Sequence, residues 1–225
     1  MKKITRYMVL AIAIAQLTAC QTTGSDPVET TKQPENVSER VDAALEKIAL
    51  SSGSKAAGLI SLEKKYKRNS TDPVKALAYA KGLRQANYLN RASLILTPFT
   101  KSGDAYPGIN TEMSMIALGI GNYDSAELYA QHAILQSPED HNAYQNLGIA
   151  LDAKEMHPEA ERAFRKGLEH WKGNPTTIMN NLALNLATQG FIDEAVEVLE
   201  RAQALSPDRI EIERNLRIIR TLNER

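Results

Sequence analysis

From residue 39 to the C-terminus, apolar side chains recur at the three- and four-residue spacing of a single helix face, and that pattern itself repeats. The stretches "QNLGIALDAKEMHPEA" at 145–160 and "NNLALNLATQGFIDEA" at 180–195 show the echo most plainly. With units counted from His141 and Thr176, the seventh and eighth positions are Leu147–Gly148 and Leu182–Ala183. The eleventh are Leu151 and Leu186, the twentieth Ala160 and Ala195, and the twenty-fourth Phe164 and Leu199. Copies in the same phase start at Pro107 (Met113–Ser114, Ala117, Ala126, Ala130) and at Pro73 (Tyr79–Ala80, Leu83, Ala92, Leu96). A degenerate unit occupies 39–72, and a last partial copy, 210–225, reads as a closing helix.

A period of about 34 residues, each holding two apolar faces, predicts an all-α array of antiparallel helix pairs. Gly148, Ala160, Ala183 and Ala195 are small enough for helix axes to approach closely. Gly121 and Gly190 suit a left-handed helix C-terminus, Pro158 suits a first helical turn, and Pro138 and Pro207 punctuate between units. Two places break the pattern. Glu155 stands where a turn glycine is expected, and "KGNP" (172–175) adds a residue, so both turns are expected to be irregular.

The first nineteen residues read differently. Lys2, Lys3 and Arg6 precede the apolar run "MVLAIAIAQL", which is too short for a comfortable membrane span. The closing "LTAC" resembles the bacterial lipobox, which implies cleavage before Cys20 and acylation of that cysteine. Several acyl chains make a stable anchor where one holds only marginally. Gln21 rather than Asp follows the cysteine, and by the same resemblance this implies the outer membrane, periplasmic face. Residues 20–38 carry the lipidated cysteine and a polar, proline-containing tether that cannot offset its own ordering entropy. Its flexible residues span roughly 20–25 Å by random-coil scaling.

Charge and chemistry narrow the function. The full chain has 27 basic and 27 acidic side chains, and removing residues 1–19 leaves 24 against 27. A net charge of −3 gives no electrostatic case for nucleic acid. His132, His141, His157 and His170 fall at four different repeat positions with no ligand spacing, so no metal site is expected. The chain's one cysteine is the lipid acceptor, and "ALGIGNY" is a turn rather than a phosphate loop. No catalytic residue is assigned, and no cofactor is expected beyond the lipid on Cys20. In the closing helix, Arg217 and Arg220 replace small and Leu residues of earlier copies; the helix reads as a solvating cap rather than a cationic docking strip.

The period, together with "GNYDSAELYAQHAILQSP" (121–138) and "GFIDEAVEVLERAQALSP" (190–207), resembles the tetratricopeptide repeat. The resemblance implies a solenoid in which first helices line a groove that binds protein segments. Its contact positions map to Asn142, Gln145, Asn146, Ile149 and Asp152, then to Thr177, Asn180, Asn181, Leu184 and Thr188. They continue through Glu211, Arg214, Asn215 and Ile218, with Thr111, Glu112, Met115, Lys81 and Arg84 on the earlier rungs. Asn146, Asn181 and Asn215 recur at one register position, where amides either hydrogen-bond a partner or brace a neighbouring helix.

The order of elements, with "YLNRASLILTPF" and the closing "RIEIERNL", resembles the TadD family, lipoproteins of the Tad (Flp) pilus assembly system. That resemblance implies a pilotin-like or scaffold role toward the secretin or other pilus-assembly components. The alternative reading is a type IV pilus pilotin or a general periplasmic adaptor for an envelope enzyme or protease.

Overall fold

A helix whose apolar face is set by the 34-residue phase has only its neighbours to bury it against, and the chain folds accordingly. The computed structural model describes residues 54–100 and 105–223. These belong to the unit Asp42–Arg225; the other unit, Met1–Val41, lies outside them. The signal peptide, Cys20, the tether and the start of the degenerate first unit therefore all fall outside the described residues.

Among the described residues there are ten α-helices and no strand. Helix α1 is Ser54–Arg68. Then come α2 (Pro73–Gln85) with α3 (Leu89–Leu96, prolonged by a 3-10 turn, Thr97–Phe99), and α4 (Ile109–Ile120) with α5 (Tyr123–Gln136). They are followed by α6 (His141–Ala153) with α7 (His157–Glu169), α8 (Thr176–Thr188) with α9 (Ile192–Leu205), and finally α10 (Ile210–Asn223). Each pair packs on itself and on the next. The first helices α2, α4, α6, α8 and α10 also touch in succession, so they stand side by side in one row.

Local chemistry fixes the helix ends. Asp72 Oδ1 accepts from the N–H groups of Val74 (2.9 Å) and Lys75 (3.3 Å), and Asp140 Oδ1 from those of Asn142 (3.0 Å) and Ala143 (3.2 Å). Each satisfies donors that a helix start leaves unpaired. At the other end, all four turns within a pair carry one left-handed residue: Asn87, Gly121, Glu155 and Gly190, with φ of 65, 82, 62 and 89°. In each turn the following N–H reaches back to the carbonyl five residues earlier, Tyr88 to Leu83, Asn122 to Ala117, Met156 to Leu151 and Phe191 to Leu186, at 2.8–3.0 Å. The expectation of an irregular turn at Glu155 is thus corrected. The hydrogen bonds impose the same geometry there, and the glutamate adopts a conformation that glycine reaches without a Cβ penalty.

The insertion at 172–175 does alter its connection. Gly173 has φ of 90°, and Asn174 Oδ1 takes over as cap, accepting from Thr176 N–H (3.0 Å) and from its hydroxyl. Asn174 Nδ2 donates to Ser206 Oγ at 2.8 Å, so the longer loop is tied to the end of α9.

The core follows the register. Phe164, Ile178, Leu182, Leu186, Leu199 and Ile212 are fully buried together, each worth about 1.5–3 kcal/mol relative to exposure. Gly148 lies against Phe164 so closely that an added Cβ would come within 2.4 Å of the ring. A similar Cβ on Gly167 would meet Ile178 at 2.6 Å.

Candidate interaction groove

The row of first helices presents one face built from the same register positions in each unit, and the frame already uses many of the polar groups on it. Asn146, assigned to the groove by position, is only 2% exposed. Its Nδ2 donates to Ser114 Oγ (2.7 Å) and to the Thr111 carbonyl (3.3 Å), tying α6 to α4. The choice between binding and bracing resolves at this residue: Asn146 braces. Asn215 Nδ2 donates to Asn180 Oδ1 (2.8 Å) and ties α10 to α8 in the same way. Asn181, at the shared register position, is half-buried and makes no side-chain hydrogen bond among the described residues.

Asp152 is also part of the frame. Its Oδ1 accepts from Asn185 Nδ2 (2.7 Å) and meets His157 Nδ1 at 2.7 Å. Asn185, fully buried, also donates to the His157 carbonyl at 3.1 Å, which joins α8 to the start of α7. This residue was missed in the sequence, although an asparagine in the apolar stripe of α8 is itself a signal of a buried polar bond. Glu112, expected on an early rung, is 2% exposed and receives Arg84 through Nε (2.6 Å) and Nη2 (3.3 Å). Such forked pairing offsets the cost of burying its charge.

The remaining positions are open to different degrees. Asn142 and Thr177 are exposed, and Thr177 Oγ1 accepts from Arg209 Nη1 at 2.9 Å. Thr188 is exposed but turns its hydroxyl back onto the Leu184 carbonyl, at 3.0 Å. Gln145 and Ile149 are half-buried; Gln145 Oε1 is buried without a hydrogen-bond partner among the described residues, and Ile149 packs against the core. Leu184 is 39% and Ile218 53% exposed, and Arg214 stands exposed beside them. At the other end, Lys81, Arg84, Thr111, Met115 and Asn142 border a cleft of about 330 Å³ between α2, α4 and α6.

The four histidines are dispersed, and no group of three or more potential metal ligands occurs among the described residues. His141 meets the Trp171 ring edge-on at 4.5 Å and His170 stacks on Tyr144 at 5.9 Å, both as packing partners.

Residues 176–205, helices α8 and α9, match the tetratricopeptide repeat family. TTC0263, a thermophilic tetratricopeptide-repeat protein of Thermus thermophilus, superposes with a TM-score of 0.63 at 17% identity, over 81% of this chain and 97% of its own. MamA from Desulfovibrio magneticus gives 0.59 at 17% identity, over 78% and 98%. The fold is a tetratricopeptide-repeat solenoid. YrrB, described as a tetratricopeptide-repeat protein with an unusual peptide-binding site, is similar at 0.57 and 16% identity, over 78% of this chain and 84% of that one. No curated protein matches the chain.

In this solenoid the repeats are stitched by side-chain pairs that recur about one unit apart. Lys154 Nζ donates to Asp124 (2.7 Å) and Glu127 (2.8 Å), and these two hydrogen bonds push its pKa well up. Arg165 bridges Glu194 and Glu161, with its pKa also raised, first by Glu194. The closing helix α10 buries Ile212, Leu216 and Ile219 on its neighbours, while Arg217 and Arg220 lie exposed, the latter bonded to Glu200 at 2.6 Å. Arg217 stands where Gly148 and Ala183 sit in earlier units, a long charged side chain at a register position that is small in those copies.

Proposed function

We propose that the protein is a non-enzymatic scaffold, anchored by lipid on Cys20 to the periplasmic face of the outer membrane. Its first-helix face holds a segment of a protein partner during Tad (Flp) pilus assembly. The observation that carries this reading is the division of that face. Asn146, Asp152, Glu112, and the Asn180–Asn215 pair serve the frame. Asn142, Thr177, Leu184, Arg214 and Ile218 remain exposed in repeat register. A surface of this kind, with amides and hydroxyls between aliphatic side chains, suits the backbone and side chains of an extended segment or a docked helix. The peptide-binding description of YrrB, a protein of the same fold, supports the same use of the fold.

The anchor and the pilus rest on the "LTAC" motif and the likeness to TadD lipoproteins. In this role the protein is pilotin-like, with the secretin or another assembly component as its partner. Deleting the gene is expected to abolish surface pili or secretin multimers. Normal pili together with normal secretin multimers in the deletion strain would overturn the assignment to this system.

A further inference from the structure

Charge is divided unevenly along the solenoid. Residues 54–100, which form α1 to α3, hold nine Lys and Arg against two Asp and Glu, whereas residues 105–223 hold ten against seventeen. The first part is therefore +7 and the second −7, a separation hidden in the near-neutral total. Both acids of the first part are already cancelled by opposite charges. Glu63 pairs with Lys67 and Arg91, each at 2.9 Å, and Asp72 with Lys75 at 2.9 Å.

Much of the remaining positive charge stands on one side of α1. That helix packs through Leu59 and Leu62, which lie over Gly82 of α2, and through Tyr66, which stacks on Tyr79 at 5.5 Å. Ser61, Lys64, Lys65 and Arg68 follow at three- and four-residue spacing on the side away from α2, and all four are exposed. Lys64, Lys65 and Arg68 make no hydrogen bond or ion pair among the described residues. Cations in a last helical turn complement the helix dipole, but Lys67 serves that end as well, and the other three charges still face outward.

We infer that this side of α1 rests on the bilayer, its cations against the anionic phospholipid headgroups of the leaflet that holds the Cys20 acyl chains. The inference goes beyond the groove and rests on the lipid anchor proposed above. Three cations attract an anionic surface only weakly, and only within a Debye length of about 8–10 Å. The anchor makes that contact effective. A tether spanning roughly 20–25 Å keeps the array near the surface, where a weak contact becomes an intramolecular one. The same headgroups repel the −7 part. The field thus turns α1 toward the bilayer and leaves the later rungs of the groove facing the periplasm.

The test uses the full lipidated chain in vesicles. Cys20, the chain's one cysteine, is blocked by lipid, so Ser61→Cys on α1 and, separately, Glu197→Cys on α9 each offer a unique thiol for a dye. Energy transfer to acceptor dyes on the lipid headgroups reports height above the bilayer. Mixing phosphatidylglycerol into phosphatidylcholine is expected to raise transfer from position 61 and not from position 197. The rise should vanish in molar salt. Each cation near an anionic surface shifts docking about fivefold, so Lys64→Gln/Lys65→Gln/Arg68→Gln should weaken it about a hundredfold and abolish the rise. The three side chains are unbonded, so this variant should melt close to the parent, and the lipid comparison needs no variant at all. No rise at position 61, an equal rise at 197, or a rise that survives the triple variant would overturn the inference and leave the anchor standing. A dye at 61 that answers to soluble poly-glutamate and not to phosphatidylglycerol would give the face to an acidic protein and also sink it. A chain that does not float with vesicles of either composition would overturn the anchor and the inference together.

Discussion

Glu155 occupies a backbone conformation that its three counterparts fill with Asn or Gly. A left-handed residue with a Cβ costs about 1–2 kcal/mol, and the glutamate is exposed with no compensating hydrogen bond of its side chain among the described residues. Glu155→Gly is therefore expected to stabilise the fold by about 1 kcal/mol, after allowing for the greater freedom of glycine in the unfolded chain. The readout is the urea midpoint. Asn87→Gly should gain less, since Asn tolerates this region better. Asn146→Ala is expected to act in the opposite direction. It removes the two bonds that tie α6 to Ser114 Oγ and the Thr111 carbonyl. Those two groups stay bonded to each other at 2.7 Å, so the expected cost is that of ordinary hydrogen bonds, about 1 kcal/mol, a loss visible in thermal melts. A drop in partner capture by that variant would thus report stability before recognition. Register alone could not reveal this, because the bond partner of Asn146 lies 32 residues upstream, in another helix.

At the scale of the element, close approach of α6 to α7 depends on Gly148 beneath Phe164. Gly148→Leu places a side chain where even a Cβ collides, and overpacking of this kind typically costs about 1–3 kcal/mol. Denaturant unfolding should show it, and Gly148→Ala should show a smaller loss. Much of this packing was legible beforehand, as small residues at the eighth position face a large one at the twenty-fourth. The capping and stitching were less so. Lys154 with Asp124 and Glu127, and Arg165 with Glu194, pair side chains from different helices with no sequence signature of their own. Charge at the helix ends also sets an acid limit. Asp72 is held below the usual carboxylate range, first by Lys75 and then by the N–H groups it caps. Glu159 is held down first by Arg162, Glu169 first by Lys166, and Glu211 first by its own backbone N–H and then by Arg209. For a carboxylate with a lowered folded pKa, the stabilisation is present above its unfolded value of about 4 and disappears as pH falls through the folded value. The urea midpoint is therefore expected to hold from neutrality to about pH 5 and to decline below pH 4, less steeply in high salt.

For the whole molecule, the repeat phase made the solenoid legible, because each unit must bury its face on the next. The groove was only half legible. Register gives the row of positions, but it does not say which polar groups are already taken by the frame. Anchoring tests a separate part of the account. Cys20→Ala is expected to leave a folded protein that moves from the outer-membrane fraction to the soluble periplasm; persistence in the membrane fraction would contradict the lipid anchor. The central claim is that the first-helix face, and not the outer surface, holds a protein partner. The most direct measurement places a photo-crosslinking amino acid in living cells at position 184 on α8 or, separately, at position 162 on the exposed side of α7. An adduct with a pilus-assembly protein such as the secretin from position 184 and none from 162 is the expected result. Adducts from position 162 alone, or equally from both, would contradict the account.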